Sequence, residues 1–328
     1  MQGHGVTSRS DLLAAGISSN EVQRNVRGGH WRRIRAGIYA TVCVDGRQAW
    51  QQNYAGELCW GGDGAAISHR AAAFVFGLDG FLNPPAGRPD IVVPASSACR
   101  GATVHRSTMT IPTVSVFNLR VVSPEACLAQ LGHRATEAEV ELAMESALRH
   151  GITSVARLHE AAFGSLARMD GARALREILR RRPPDAPATA SSVETTVLQL
   201  LRNLGCRHLE RGVSIGSEDF SFVVRKRRLA VSCSSANVAF PPSERRVGLA
   251  STGWTIVEVS MTELLANRDA VVDRLQSALV RTQRGPARPR PRHLQLVDHE
   301  LVAEPTSTAT STTMSTSAVI PEQAVVAA

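Results

Sequence analysis

The chain has 328 residues, and 43% of them are hydrophobic, which is enough for two or three domains with buried cores. It has no apolar run of about 18 residues and no apolar stretch with a cleavage signal near Met1, so we expect a cytoplasmic protein without a membrane span or secretory leader. The formal net charge of +8 favours polyanionic partners but does not indicate a fold.

The six cysteines are spread singly along the chain, and no two of them form a Cys-x-x-Cys pair. A disulfide framework or a zinc site needs clustered cysteines, so we interpret them as small buried apolar residues. We accordingly predict no metal ligands and no bound cofactor.

The N-terminal segment has the pattern of two short helices followed by a hairpin. Ser8 and Asp11 predict a helix start, and Gly16 predicts the end of that helix. A second helix is predicted over 19–28 and a hairpin over 31–42. Helix, turn, helix and hairpin in this order are typical of a winged helix-turn-helix.

Polar residues of this segment predict contacts with double-stranded DNA. Asn, Gln and Arg can form paired hydrogen bonds with base edges in the major groove, and arginines on a hairpin suit phosphates or the minor groove. The predicted DNA-binding residues are Asn20, Gln23, Arg24 and Arg27 on the second helix and Arg32, Arg33 and Arg35 on the hairpin. The alternative is a protein–protein module in which these arginines form a solvated face.

Composition further divides the chain. Apolar residues at helical spacing (Val140, Ala143, Met144) predict a helix that starts at Thr136. A Pro/Ala/Ser-rich stretch indicates a linker, and the Ser/Thr/Ala-rich end has too little apolar content to pack. We expect a mixed α/β multidomain protein with these parts: 1–45, a winged helix-turn-helix; 46–180, an α+β middle domain; 181–192, a linker; 193–282, an α/β domain; 283–328, a disordered tail.

Two motifs in the first half of the chain resemble one family. LLAAGISSNEVQRNVRGGHWRRIRAGIYAT at 12–41 is similar to the N-terminal winged domain of AbiEi-type antitoxins, and AAISHRAAAFVFGLDG at 65–80 resembles the signature that follows it. The resemblance covers about residues 8–180 and departs from the family after Pro124, where the chain continues EACLAQL. It implies a DNA-binding autorepressor that restrains a nucleotidyltransferase-like toxin.

Ser68 and His69 lie within the second motif and could be mistaken for catalytic groups. We interpret Ser68 as a helix cap and His69 as a packed ring, because nothing nearby in the sequence supplies a convincing third partner.

The helix SVETTVLQLLRNLG, the strands around EDFSFVV and RLAVSC, and the segment RRVGLASTGWTIVEVS lie within 193–282. Together they resemble the very-short-patch-repair-like endonuclease domains of the PD-(D/E)xK group. The resemblance implies a restriction-endonuclease-like α/β fold, in which carboxylates hold Mg²⁺ and activate water for attack on a phosphodiester.

Two of the four positions that match the family's acidic residues carry serine. Glu194 and Asp219 keep a carboxylate, whereas Ser232 and Ser234 stand where the family has Glu and Asp. A hydroxyl is a poor ligand for a hard dication. We therefore expect a degenerate, catalytically inactive domain.

Other interpretations of the protein stay open. A divergent Mg²⁺-dependent endonuclease would combine Glu194 and Asp219 with a third acid, Glu218 or Glu258. The basic run 225–228 is either a second DNA contact or a solvated turn. In a third interpretation the middle domain is an interaction module that binds a partner toxin.

Overall fold

A computed structural model describes residues 4–42, 49–101, 103–183, 185–235 and 244–283, with the backbone alone for 244–247 and 282–283. All of them belong to one compact unit, Met1–Pro286. The predicted tail falls outside the described residues beyond Gln283. Within the described part of the chain, no helix is long and apolar enough to cross a membrane.

The N-terminal segment forms a three-stranded antiparallel sheet with two helices. Its elements are β1 (Val6–Ser8), α1 (Arg9–Ala14), α2 (Ser19–Arg27), β2 (Trp31–Arg35) and β3 (Ile38–Thr41), in the sheet order β1-β3-β2. Ser8 Oγ accepts a hydrogen bond from the Asp11 amide at 3.1 Å, and Ser18 Oγ accepts one from the Glu21 amide at 3.2 Å. Both helices thus begin at caps of the preferred type, and the predicted helices and hairpin are confirmed.

The middle segment is a mixed five-stranded sheet packed against helices. Its elements are α3 (Ala49–Gly61), β4 (Ala66–Ile67), α4 (His69–Val75), β5 (Ile91–Pro94), β6 (Val104–Ser107), β7 (Thr113–Val116), β8 (Leu119–Val122), α5 (Pro124–Leu131), α6 (Glu137–Arg149), α7 (Val155–Glu160), a π-helical turn (Ala161–Ser165) and α8 (Ala172–Arg181). The sheet order is β6-β5-β4-β8-β7, and the β5–β6 and β4–β8 pairs are parallel. One hydrophobic core, from Val6 to Leu179, extends through the N-terminal and middle segments.

Helix α6 begins where its sequence pattern predicts. Thr136 and Glu139 form a capping box, in which each side chain accepts a hydrogen bond from the other residue's amide. Val140, Ala143 and Met144 are fully buried on one face of the helix.

The C-terminal segment is a four-stranded sheet with its own core. Its elements are α9 (Ser192–Asn203), β9 (Glu210–Ile215), β10 (Glu218–Val224), a 3₁₀ turn (Arg225–Arg227), β11 (Leu229–Ser234), α10 (Glu244–Ser251), β12 (Thr255–Ser260), α11 (Met261–Ala266) and α12 (Arg268–Gln283). The order is β12-β11-β10-β9, with β11 and β12 parallel and the other pairs antiparallel. Residues of α9 and α12, such as Leu201 and Leu275, share a core with Val231 of β11.

The predicted linker is bound to α6 through a buried carboxylate. Glu145 has no exposed surface, and its side chain accepts hydrogen bonds from Arg182 at 3.3 Å, from Arg211 of β9 at 3.0 Å and from the Thr189 amide at 3.0 Å. Glu141, one turn earlier, is also buried and pairs with Arg202 of α9. These contacts connect the middle and C-terminal segments, while the domain boundaries themselves stay a prediction.

Candidate nucleic-acid interface

Four exposed polar residues of α2 lie on one face of the helix, beside the exposed Glu21. Asn20, Gln23, Arg24 and Arg27 follow the spacing i, i+3, i+4 and i+7, and all four are exposed. Val22, on another side of the helix, is 2% exposed and buried in the N-terminal segment. We call these four polar residues the recognition face. Its side chains have the donors and acceptors that base edges in a major groove require.

Two of the three hairpin arginines are exposed. Arg32 donates to Asn53 Oδ1 at 2.8 Å and to Gln52 Oε1 at 3.4 Å, both on α3. Arg33 Nε donates to the main-chain oxygen of Arg35 at 3.3 Å. Because all of these partners are uncharged, the two guanidinium groups keep their positive charge available for a polyanion.

Arg35, the third hairpin arginine, is bound inside the protein. Its Nε lies 2.8 Å from both carboxylate oxygens of Glu57, and its guanidinium stacks 3.5 Å from the centre of the Trp60 ring. The Arg35 side chain is 11% exposed and that of Glu57 is 2% exposed. A buried pair of this kind orients the hairpin against α3, so Arg35 is better placed to support the hairpin than to contact DNA.

Arg9 was not among the residues predicted from the sequence. It is exposed at the start of α1 and donates to Ser19 Oγ at 3.0 Å, which places its guanidinium beside the first residue of α2. In helix-turn-helix proteins the first helix crosses the DNA backbone. The sequence feature that could have predicted this role is the position of Arg9, a basic residue directly after the Ser8 cap and so at the start of the first helix.

At the four positions where the resemblance to endonuclease domains predicts carboxylates, the side chains do not form a set of metal ligands. Ser232 is 4% exposed on β11, in register with Glu258 of β12, and its Oγ has no hydrogen-bond partner among the described residues. Ser234 lies further along β11, in register with Ser260. Asp219 is exposed and accepts a hydrogen bond from Ser214 at 2.6 Å.

Glu194 has a local structural contact. Its Oε2 accepts a hydrogen bond from the Ala190 amide at 2.6 Å, just before α9 begins. Burial, with a smaller contribution from the Glu194 carboxylate, raises the pKa of the neighbouring Cys233 thiol to about 12, so this thiol is protonated at neutral pH and is not a ligand. Mg²⁺ prefers several oxygen ligands that include carboxylates, so this set of hydroxyls and separately bonded acids does not fit the ion. Across the described residues, no cluster of three or more His, Cys, Asp or Glu side chains could hold a metal.

The basic run 225–228 forms the turn between β10 and β11. Arg225 Nε bonds to both carboxylate oxygens of Glu210 at 2.9 and 2.8 Å, and Arg228 donates to the main-chain oxygen of Thr252 at 3.0 Å. These two arginines therefore have structural contacts within the C-terminal segment, and Lys226 is exposed at the tip of the turn.

Ser68 and His69 have partners that sequence proximity did not reveal. Ser68 occupies the N-cap position of α4, as predicted, but its side chain makes no capping bond; its Oγ lies 3.0 Å from Nδ1 of His69 instead. His69 is a packed ring, as predicted, 7% exposed and stacked on His105 with 3.7 Å between ring centres. His105 Nε2 donates in turn to Asp90 at 2.9 Å. Strand β6 brings His105 to His69 from a distant part of the chain, and Asp90 lies directly before β5.

No protein-family model matches the chain, and no curated protein matches it. Among solved structures, the chain is similar to the catalytic domain of the homing endonuclease I-Bth0305I, with a TM-score of 0.23 and 19% identity over 27% of this chain and 94% of that domain.

Proposed function

We propose that the protein binds double-stranded DNA through its N-terminal winged helix and does not cleave it. The observation that supports this proposal is the recognition face of α2, where Asn20, Gln23, Arg24 and Arg27 are exposed on one side of the helix. Further exposed arginines lie on α1 (Arg9) and on the hairpin (Arg32 and Arg33). Arginines bind phosphates, and the polar side chains of the recognition face can bind base edges, so the combination suits double-stranded DNA.

In the proposed complex, α2 enters the major groove. Asn20 and Gln23, in the first half of the helix, reach base edges, as the N-terminal residues of a recognition helix do. Arg9, Arg32 and Arg33 neutralise phosphates on either side, and the hairpin can also follow the minor groove. Arg35 supports the hairpin from behind through Glu57 and Trp60.

The proposed lack of cleavage rests on the chemistry of the C-terminal sheet. Ser232 and Ser234 provide neutral hydroxyls where a PD-(D/E)xK site needs carboxylates. Glu194 is bonded to the Ala190 amide and Asp219 to the Ser214 hydroxyl. Among the described residues of this segment, these side chains therefore do not provide the set of free carboxylates that a hard dication needs to act on a phosphodiester.

The finer part of the proposal concerns the biological role. The resemblance of 12–41 and 65–80 to AbiEi-type antitoxins supports a transcriptional autoregulator that also binds a nucleotidyltransferase-like toxin. Co-purification of such a protein, encoded beside this chain, tests the toxin-binding part separately. A DNA-binding protein that retains no such partner would contradict that part and leave DNA binding intact.

A salt titration of DNA binding tests the main proposal. Each phosphate contact contributes about 0.9 to the slope of log affinity against log salt, so replacing Arg32 and Arg33 with Ala should flatten the slope by about 1.8. If the two contacts contribute no binding free energy at 1 M salt, the double variant should bind DNA about 60-fold more weakly than the unmodified protein at 0.1 M salt. Fluorescence anisotropy with a labelled duplex measures both quantities.

Arg173→Ala is the matched control for this titration, because Arg173 is an exposed arginine of α8, away from the winged helix. We expect its slope and affinity to equal those of the unmodified protein. Equal effects of the hairpin and control variants would rule out a specific interface on the winged helix.

Incubation with supercoiled plasmid and Mg²⁺ or Mn²⁺ tests the lack of cleavage. We expect no nicking above a buffer control. Nicking that disappears in Asp219→Ala would show instead that the C-terminal segment is an active endonuclease.

A further inference from the structure

A pocket of about 330 Å³ opens in the middle segment, away from the residues of the proposed DNA interface. Separate parts of the chain line it: His69 at the start of α4, His105 and Arg106 on β6, Gln130 on α5, and Arg168 before α8. Only the tertiary fold brings these polar residues together. We call this cavity the histidine pocket.

Two stacked imidazole rings form one wall of the histidine pocket. The planes of His69 and His105 are inclined by 23°, with 3.7 Å between their centres. Because burial, the neighbouring imidazoles and Arg134 lower the pKa of His69 to about 3, against a smaller opposing effect of Asp90, the His69 ring is neutral at neutral pH. The Asp90 carboxylate holds the orientation of His105.

The backbone at His69 is strained. Its φ angle is +50°, in the left-handed region that residues other than glycine seldom adopt. Backbone strain of this kind occurs preferentially at functional and ligand sites, where the surrounding structure enforces it. Here the His69 amide donates to Gln130 Oε1 at 3.3 Å, which holds the strained residue against the pocket.

The polar groups that face the histidine pocket are mainly hydrogen-bond donors. Since Gln130 Oε1 already accepts from His69, its NH₂ group is the part of the amide left for a ligand. Arg106 and Arg168 are exposed at the rim, and within the described residues neither forms an ion pair. Asp170 is the single carboxylate of the lining. Donors and unpaired cations around one cavity favour a ligand with anionic oxygens.

We propose that the histidine pocket binds a small phosphate monoester of the size of a nucleoside 5′-monophosphate. The phosphate lies between Arg106 and Arg168, which can each donate two hydrogen bonds to it. The remainder of the ligand packs against the His105 ring and Met109, and Asp170 accepts a hydrogen bond from a ligand hydroxyl. A cavity volume of about 330 Å³ lies within the ordinary range for small-molecule sites.

Isothermal titration calorimetry of the full chain tests this proposal with three probes: inorganic phosphate, the four nucleoside 5′-monophosphates, and a 5′-phosphorylated oligonucleotide. We expect saturable binding of at least one monophosphate, tighter than that of inorganic phosphate. Replacing Arg106 and Arg168 with Ala should weaken it by at least about tenfold, because charge-assisted hydrogen bonds are lost. Arg207→Ala is the control, because Arg207 is an exposed arginine between α9 and β9 and does not line this pocket; it should leave the binding unchanged.

Histidine-selective NMR of the unmodified protein gives a readout that does not depend on the folding of a variant. The ring signals of His105 and His133, which both line the pocket, should shift on titration with the monophosphate. No binding by any probe, or equal binding by the double variant, would overturn the proposal. Binding of the oligonucleotide alone would also overturn it, and would assign the histidine pocket to DNA ends. Because the pocket and the recognition face share no residue, this proposal and DNA binding can fail independently.

Discussion

The recognition face of α2 and the junction around α6 both contain arginines, but the two regions use them differently. At the junction, Arg182 and Arg211 are almost fully buried against Glu145. On the recognition face, Arg24 and Arg27 are exposed, and neither forms an ion pair within the described residues. The same residue type therefore holds the fold together in one region and is available to a ligand in the other.

This difference shows why the number of arginines is a poor guide to function. A guanidinium that is buried against a carboxylate has exchanged its hydration for that partner, and removing the partner leaves a charge in a poorly solvated site. An exposed guanidinium keeps its hydration until a phosphate replaces it. The comparison predicts that substitutions at the junction change stability, whereas substitutions on the recognition face change DNA affinity.

The largest expected effect is at the junction. Glu145→Ala should lower the free energy of unfolding by about 4 kcal/mol, because Arg182 and Arg211 lose their buried partner. Urea denaturation measures this loss. Glu137→Ala is the matched control, since Glu137 is an exposed α6 glutamate paired with the exposed Arg181, and it should cost less than about 1 kcal/mol. Similar losses in both variants would contradict the comparison.

Two arginines of the same strand provide a sharper test. Arg35→Ala should lower the free energy of unfolding by about 3 kcal/mol, because Glu57 then loses its close partner and, among the described residues, keeps the more distant Arg88 at 3.8 Å. Arg33→Ala should change it by less than about 0.5 kcal/mol, yet weaken DNA binding about eightfold at 0.1 M salt. Denaturation and anisotropy on both variants check this. A larger stability loss in Arg33→Ala than in Arg35→Ala would break the distinction.

The smallest of these effects concerns pH and the buried His69. Its pKa is about 3 in the folded protein against 6.5 for the unperturbed side chain, so the unfolded chain binds the extra proton first as pH falls. Stability should therefore decrease below pH 6.5, by about 2 kcal/mol between pH 7 and pH 5. Denaturation of the unmodified protein and of His69→Asn at both values measures this, since asparagine tolerates the left-handed backbone and does not titrate. An undiminished pH effect in His69→Asn would assign it to another group.

The N-terminal fold could be predicted because its signals are local. Ser8 and Ser18 cap helices through bonds to amides three residues later, so sequence spacing determines those starts. Strand β1 was missed, because Val6–Ser8 is short and is stabilised by pairing with β3, more than thirty residues later in the chain. Among the site residues, the helical spacing placed Asn20, Gln23, Arg24 and Arg27 on one face.

The sequence could not show which of the hairpin arginines is buried and which are exposed. Strict alternation along β2 would place Arg33 and Arg35 in similar surroundings. The pairing of β2 with β3 instead shifts register between these two residues, and a buried glutamate of α3 receives Arg35. The histidine pocket escaped prediction for a related reason, since His69 and His105 come from separate elements.

The sequence by itself determined the helix-turn-helix, the exposed face of α2 and the hydroxyls of Ser232 and Ser234 at two positions where the resemblance to endonuclease domains predicts acids. All three depend on residue identity and short-range spacing. The tertiary structure alone decided which arginines are available, because availability depends on whether a carboxylate from a distant element is buried beside them. Glu57 and Glu145 are such carboxylates, and they leave the recognition face of α2, with Arg32 and Arg33, as the basic surface we propose for DNA.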